Sequence, residues 1–133
     1  MGDVMKESPL YDCFELTFEG VSGARLVEYC AEFTNETHTV QVPAFHAGAG
    51  RYLVRFMPQA TGVWQYTVRL PGQGAAGEFL CTGQKVDNHG PVTVEGCRFY
   101  HADGTRFLPF GTTCYAWAHQ SEALHSLGSA PFN

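Results

Sequence analysis

The sequence lacks any long apolar run. Although 44% of its 133 residues are hydrophobic, no stretch approaches the about 20 consecutive apolar residues that a membrane-spanning helix needs. Residues 1–9 also lack the apolar core that marks a secretory signal peptide. We therefore expect no membrane partner and a cytoplasmic location.

Positive charge is scarce as well. Lys and Arg number 8 against 13 Asp and Glu, which gives a formal net charge of −5, and the basic residues form no patch. Nucleic acids and anionic membranes are recognised by clusters of Lys and Arg. The charge pattern therefore argues against a nucleic-acid partner.

The cysteines do not occur in the pairs that mark zinc or redox motifs. Their number is odd, no Cys-x-x-Cys is present, and the six histidines show no His-Glu-x-x-His spacing. We expect reduced thiols, no disulfide and no metal ion. The five cysteines are Cys13, Cys30, Cys81, Cys97 and Cys114.

One glycine pattern imitates a cofactor motif. Residues 72–77 (GQGAAG) match the letters of the dinucleotide fingerprint, which requires a strand before it and a helix after it. Here a strand-like run, 78–82, follows, so we predict a flexible hairpin loop and no cofactor.

The first part of the chain alternates between apolar and polar residues with a period of two, as half-buried strands do. Breaks rich in Gly, Pro and Ala separate the strands at 20–23, 44–50, 58–62 and 71–77. Because each such strand has one apolar face to cover, a two-sheet antiparallel sandwich is predicted. The six predicted strands are 14–19, 27–33, 37–43, 52–57, 64–70 and 78–82.

An immunoglobulin domain proper carries a disulfide with a tryptophan packed on it. Trp64 lies between Cys30 and Cys81, but much closer to Cys81. We therefore expect an Ig-like all-β sandwich without that disulfide.

The character of the sequence changes after Gly83. Residues 84–91 are polar, end in Gly-Pro and are predicted to be a linker, which divides the chain into domains 1–83 and 92–133. Beyond the linker, 92–94 and 96–102 read as extended, Asp103-Gly104 as a two-residue hairpin turn, and 105–110 as the returning strand. A helix is predicted over 121–127, with Ser121 as its N-cap and Gly128 as its stop.

Five stretches of the sequence resemble parts of known proteins. Residues 45–58 (FHAGAGRYLVRFMP) and 62–66 (GVWQY) resemble the Ig-like domain of unknown function at the N-terminus of many bacterial glycoside hydrolases. Residues 88–94 (NHGPVTV) resemble the junction in those enzymes. Residues 100–107 (YHADGTRF) and 110–120 (FGTTCYAWAHQ) resemble the first strands of their (β/α)8, or TIM, catalytic barrel.

The resemblance implies an N-terminal accessory domain, a structural brace, followed by a β-hairpin and αβ stub of a truncated barrel. The partners would be the downstream barrel and a carbohydrate substrate. Such hydrolases use two carboxylates on later barrel strands, so no residue here is assigned as catalytic, and the chain alone should be inactive. The residues expected to contact substrate are Tyr115, Trp117, His119 and Gln120.

Two alternatives stay open from the residues alone. Tyr115 and Trp117 could stack on sugar rings or belong to a core. The sandwich could also be a stand-alone carbohydrate-binding or protein-interaction module, which would present aromatic rings outward. The strand aromatics occupy inward positions of the alternation, which favours the brace. The stub is expected to expose apolar surface at Phe99, Phe107, Phe110, Tyr115 and Trp117. The inward strand aromatics are Tyr52, Phe56, Trp64 and Tyr66.

Overall fold

The structure, a computed structural model, describes residues 5–20, 29–70, 73–111, 113 and 122–130. The chain divides into two compact units, Met1–Pro91 and Val92–Asn133. The described residues are mostly β-structure, with a single short helix among them. This agrees with the all-β class that the alternation predicts.

The first unit contains eight strands in two sheets. The five-stranded sheet has the order β1-β8-β7-β3-β4, and the three-stranded sheet has the order β2-β6-β5. All pairings are antiparallel except that of β1 with β8. The strands are β1 (Lys6–Pro9), β2 (Phe14–Glu19), β3 (Cys30–Thr34), β4 (Thr39–Pro43), β5 (Phe45–His46), β6 (Arg51–Phe56), β7 (Gly62–Leu70) and β8 (Gln73–Thr82).

Aromatic rings join the two sheets into one core. Phe33 of β3 stacks on Phe56 of β6 with ring centroids 4.1 Å apart, and Phe14 of β2 stacks on Phe79 of β8 at 3.9 Å. These four rings belong to one cluster of buried residues drawn from both sheets. The two sheets therefore pack face to face as a sandwich, each burying the apolar side of its alternating strands.

The glycine-rich stretch before residue 78 is not a loop. The predicted break at 71–77 is wrong from residue 73 onward, because β8 begins at Gln73 and pairs with β7 along its length. Gly77 lies directly opposite Tyr66, and a Cβ on Gly77 would overlap the Tyr66 ring. Glycine is a weak strand former that is tolerated where another group approaches the backbone closely. Here that group is the Tyr66 side chain.

Two further strands escaped prediction. The two-residue β5 lies in the predicted break 44–50, and β1 lies in the N-terminal stretch, where it pairs in parallel with β8. Neither has enough alternating residues to produce a pattern. The predicted strand 27–33 corresponds to β3 in its described part, and residues 27 and 28 lie outside the described residues.

The second unit begins with a three-stranded antiparallel sheet in the order β11-β10-β9. The predicted turn at Asp103-Gly104 is confirmed in place, but its loop has three residues, 102–104, and not two, because the His101 amide donates to the Thr105 carbonyl at 2.8 Å. Gly104 has φ 86°, and Asp103 Oδ1 accepts hydrogen bonds from the Thr105 amide (2.9 Å) and hydroxyl (2.7 Å). A second turn at Gly96 (φ 61°) was not predicted. The strands are β9 (Val92–Glu95), β10 (Arg98–His101) and β11 (Arg106–Phe107).

The predicted helix is confirmed in place and corrected at its ends. Helix α1 covers Ala123–Gly128. Its N-cap is Glu122 and not Ser121, which lies outside the described residues, and the Glu122 side chain makes no capping hydrogen bond. Gly128 is the last helical residue, and Ser129 is the C-cap. The returning strand is also shorter than the predicted 105–110, because β11 ends at Phe107.

Candidate functional site

The most unusual surface of the described chain is one face of the sheet β9–β11. Opposed residues of antiparallel strands point to the same side, and the register places Phe99 opposite both Val94 and Phe107. His101 is opposite Val92 and packs edge-on against the Phe107 ring at 5.3 Å. We call this side the meander face; its apolar members are Val92, Val94, Phe99 and Phe107.

The meander face is open to solvent. The exposed fractions are 64% for Val94, 43% for Phe99 and 42% for Val92. Beyond β11, Leu108 and Phe110 are 60% and 57% exposed. The predicted exposure of Phe99 and Phe110 is therefore confirmed, whereas Phe107 is half-buried. Clustered exposed apolar side chains of this size mark interaction surfaces more often than isolated ones do.

The opposite side of the same sheet is polar. Arg98 lies opposite Glu95, and Tyr100 lies opposite both Thr93 and Arg106. A sheet with one polar and one apolar side normally covers the apolar side with another layer. This amphipathic pattern is typical of a sheet whose apolar side is covered by another layer.

The predicted substrate-binding residues cannot be placed on this surface. Tyr115, Trp117, His119 and Gln120 all lie outside the described residues. Their assignment stays a prediction.

The four strand aromatics that were predicted to face inward are buried or partly buried in the sandwich. Trp64 is 2% exposed and Phe56 is 5% exposed, and Tyr52 and Tyr66 are partly buried against the same core. The Trp64 indole N–H donates to the Ala60 carbonyl at 2.9 Å. These four rings therefore provide packing and not an outward platform for a ligand.

A polar cleft of about 570 Å³ opens at one end of the sandwich. Thr34 and Gln65, which pair across β3 and β7, lie at the cleft between the turn 35–37 and the loop 60–63. The side-chain oxygen of Asn35 already accepts the amides of Thr37 (3.0 Å) and His38 (2.7 Å). The residues that line the cleft include neither an aromatic ring nor a cation, so it offers no strong anchor to a ligand.

An apolar slot of about 290 Å³ lies between β4 and β6. Val40, Val42 and Met57 line it, and Arg55 is at its rim. The Arg55 guanidinium already has two partners within the protein. Its Nε donates to Glu15 Oε2 at 2.7 Å, and its Cζ lies 5.1 Å from the centre of the Phe45 ring. The hydrogen bond that Arg55 donates to Glu15 raises the pKa of Arg55. Both partners are substantially exposed, so this ion pair adds little stability.

Metal and membrane sites were also sought in the described ranges. No group of three or more His, Cys, Asp or Glu residues there is arranged to hold a metal ion. No helix among the described residues is long and apolar enough to cross a membrane.

Four of the five cysteines can be described, and each is a free thiol. Cys13 and Cys97 are exposed, Cys30 is half-buried and Cys81 is buried, with burial raising the pKa of the Cys81 thiol. Cys114 lies outside the described residues.

Titration of the denatured, unreduced protein should find five free thiols. The count is odd, and the four described thiols are unpaired. A sample reduced before denaturation is the control and should give the same number. A count of three or fewer in the unreduced sample would show that a disulfide forms.

Comparison with known proteins finds a family model that is similar to most of the sandwich. Residues 7–71, which run from β1 to the end of β7, match the family model described as "Domain of unknown function (DUF5060)". No curated protein matches the chain.

Three chains of solved structures are similar to this one. One is a crystal structure described as that of a "putative glycoside hydrolase" from Bacteroides vulgatus ATCC 8482, with 36% sequence identity and a TM-score of 0.84. The match covers 97% of this chain but 27% of that chain. The chain therefore spans about a quarter of the length of this relative, and both of its units fall within the matched part.

Proposed function

We propose that this chain is the N-terminal accessory part of a bacterial glycoside hydrolase that acts on poly- or oligosaccharides, with the sandwich as a structural brace. The observation that carries the proposal is the match over 97% of the chain to the protein described as a "putative glycoside hydrolase". Since the match covers 27% of that protein, most of such an enzyme would be other polypeptide, which is the proposed partner.

The proposal divides the chain into an Ig-like sandwich, residues 1–83, a connection, 84–91, and the start of a (β/α)8 barrel, 92–133. The open meander face supports this division. A barrel closes when each strand and helix packs on its neighbours. Val94 and Phe99 would then be covered by the remaining elements of the barrel.

Catalysis belongs to the missing part in this proposal. Glycoside hydrolases flank the scissile bond with two carboxyl groups, and the resemblance places both on later barrel strands. Active sites of such barrels lie at the C-terminal ends of the strands. There Tyr115 and Trp117 would offer apolar surface to a sugar, and His119 and Gln120 would hydrogen-bond its hydroxyl groups.

A stand-alone carbohydrate-binding or protein-interaction module is the second candidate. Such a module needs exposed aromatic or apolar anchors on the sandwich itself. The burial of Trp64 and Phe56 favours the brace instead.

The gene provides the first test. Its coding sequence should continue in frame past Asn133, with alternating strand and helix patterns and two carboxylates at predicted strand ends. A stop codon directly after Asn133 would contradict the proposal and favour the module.

A further inference from the structure

The segment that leaves the sandwich, residues 84–91, reads as a linker by composition, yet it contacts the rest of the first unit through Lys85, Asn88 and Gly90. We call it the strap. It lies against the turn that follows β1, around Tyr11 and Asp12, which we call the corner. Both the strap and the corner belong to the unit Met1–Pro91.

Backbone hydrogen bonds fix the corner to three parts of the sandwich. The Asp12 amide donates to the Pro9 carbonyl, the Tyr11 amide to the Pro58 carbonyl, and the Leu10 amide to the Thr82 carbonyl, each at 3.1 Å. Tyr11 adopts φ 66°, which is unfavourable for a bulky residue and persists only where the surroundings impose it. The corner is therefore a rigid platform.

The strap is shaped to fit this platform. The Asn88 amide donates to the Lys85 carbonyl at 3.1 Å, and the Gly90 amide donates to Asn88 Oδ1 at 3.1 Å. Gly90 has φ 79°, and a Cβ there would lie 2.8 Å from the Tyr11 ring. Only glycine meets both requirements, since it tolerates positive φ and has no Cβ.

Asp12 joins the two parts through both of its carboxylate oxygens. Oδ2 lies 2.5 Å from Lys85 Nζ, and Oδ1 accepts a hydrogen bond from Asn88 Nδ2 at 2.8 Å. The Asp12 side chain is 22% exposed, so water competes for it less than at an open surface. The hydrogen bond from Lys85, followed by that from Asn88, lowers the pKa of Asp12 and keeps it charged.

We propose that the strap is a docked part of the sandwich, and that Asp12 is the positioning residue that fixes the point where the following polypeptide leaves it. The proposal stands without the glycoside hydrolase assignment, because it concerns contacts within the first unit alone. A flexible linker of the same composition would let the following segment sample many directions. A docked strap removes that freedom before Val92.

Amide hydrogen exchange of the 133-residue chain tests this directly. In the unaltered protein, the Gly90 amide should exchange at least tenfold more slowly than the same sequence in an unstructured peptide. In Asp12→Ala, exchange of the Asn88 and Gly90 amides should accelerate threefold or more, while the Val68 amide in β7 keeps its rate. Glu15→Gln is the matched control, because it removes an ion pair on β2 that does not touch the strap.

A second variant covers the case in which Asp12→Ala does not fold. Asn88→Ala removes the bond to Asp12 and the one to Gly90 while leaving Lys85 in place, and it should accelerate Gly90 exchange by a similar factor. The proposal is overturned if Gly90 exchanges in the unaltered protein at the peptide rate. It is equally overturned if the folded variants change the Gly90 rate by less than threefold.

Discussion

Replacing Trp64 with alanine should lower the free energy of unfolding by about 3–5 kcal/mol, as for other large-to-small changes in cores. The indole is 2% exposed, packs edge-on against the Phe56 ring at 4.9 Å and donates its N–H to Ala60. The substitution would leave a cavity between the sheets and an unpaired carbonyl. A urea titration of the 133-residue chain measures the loss.

Val63→Ala is the matched control, because Val63 precedes Trp64 on β7 and is 47% exposed on the outer side. Val63→Ala should lower the free energy of unfolding by less than about 1 kcal/mol, as changes at exposed positions usually do. A loss below about 1 kcal/mol for Trp64→Ala would place Trp64 outside the core and return the binding-module alternative to consideration.

Placing a lysine at position 94 should have a much smaller effect on the stability of the 133-residue chain than on that of the full-length hydrolase that we propose. Val94 is 64% exposed here, so Val94→Lys should change the stability of the 133-residue chain by no more than about 0.5 kcal/mol. In the full-length protein the same position would be covered. In that protein Val94→Lys should lower the free energy of unfolding by more than about 3 kcal/mol, because buried apolar surface is lost and the ammonium group is desolvated.

Thr93→Lys is the matched control, because it places the same lysine on the polar side of the sheet. Thr93 is the neighbouring residue on β9 but points to the polar side, opposite Tyr100. It should leave the thermal unfolding temperature of the full-length protein nearly unchanged. Equal effects of the two lysines would mean that the meander face has no special partner.

Much of the sandwich could be predicted because most of its strands show a regular alternation of apolar and polar residues within their own sequence. In β2, β6 and β7 every second residue is apolar, and the structure buries or half-buries that set. The inward direction of Trp64 and Phe56 followed from the same alternation. This alternation arises because successive side chains of a strand point to opposite faces, so it can be recognised without knowing which strands lie next to it.

The features that escaped prediction depend on partners far away in the chain. Glycine-rich β8 is a strand because Tyr66 fills the space over Gly77. The role of Asp12 could not be predicted from the sequence, because its partners Lys85 and Asn88 come more than seventy residues later in the chain. Contacts of this kind become visible only once the strands are paired.

The meander face could be predicted in part. Phe99 and Phe110 were expected to be exposed because the stub resembles an incomplete barrel, and both are. Val92 and Val94 were not singled out, although their alternation with Thr93 and Glu95 could have placed them on the side of Phe99. The unpredicted turn at Gly96 sets that register.

The most direct test of the central claim compares glycosidase activity in two proteins from the same gene. One is the 133-residue chain, and the other is the full-length product, each assayed with the same panel of aryl glycosides and neutral oligosaccharides. The account predicts turnover by the full-length protein and none by the chain, because the proposed function puts the paired carboxylates after residue 133. Turnover by the purified chain, or a full-length product that cleaves no glycosidic bond, would contradict it.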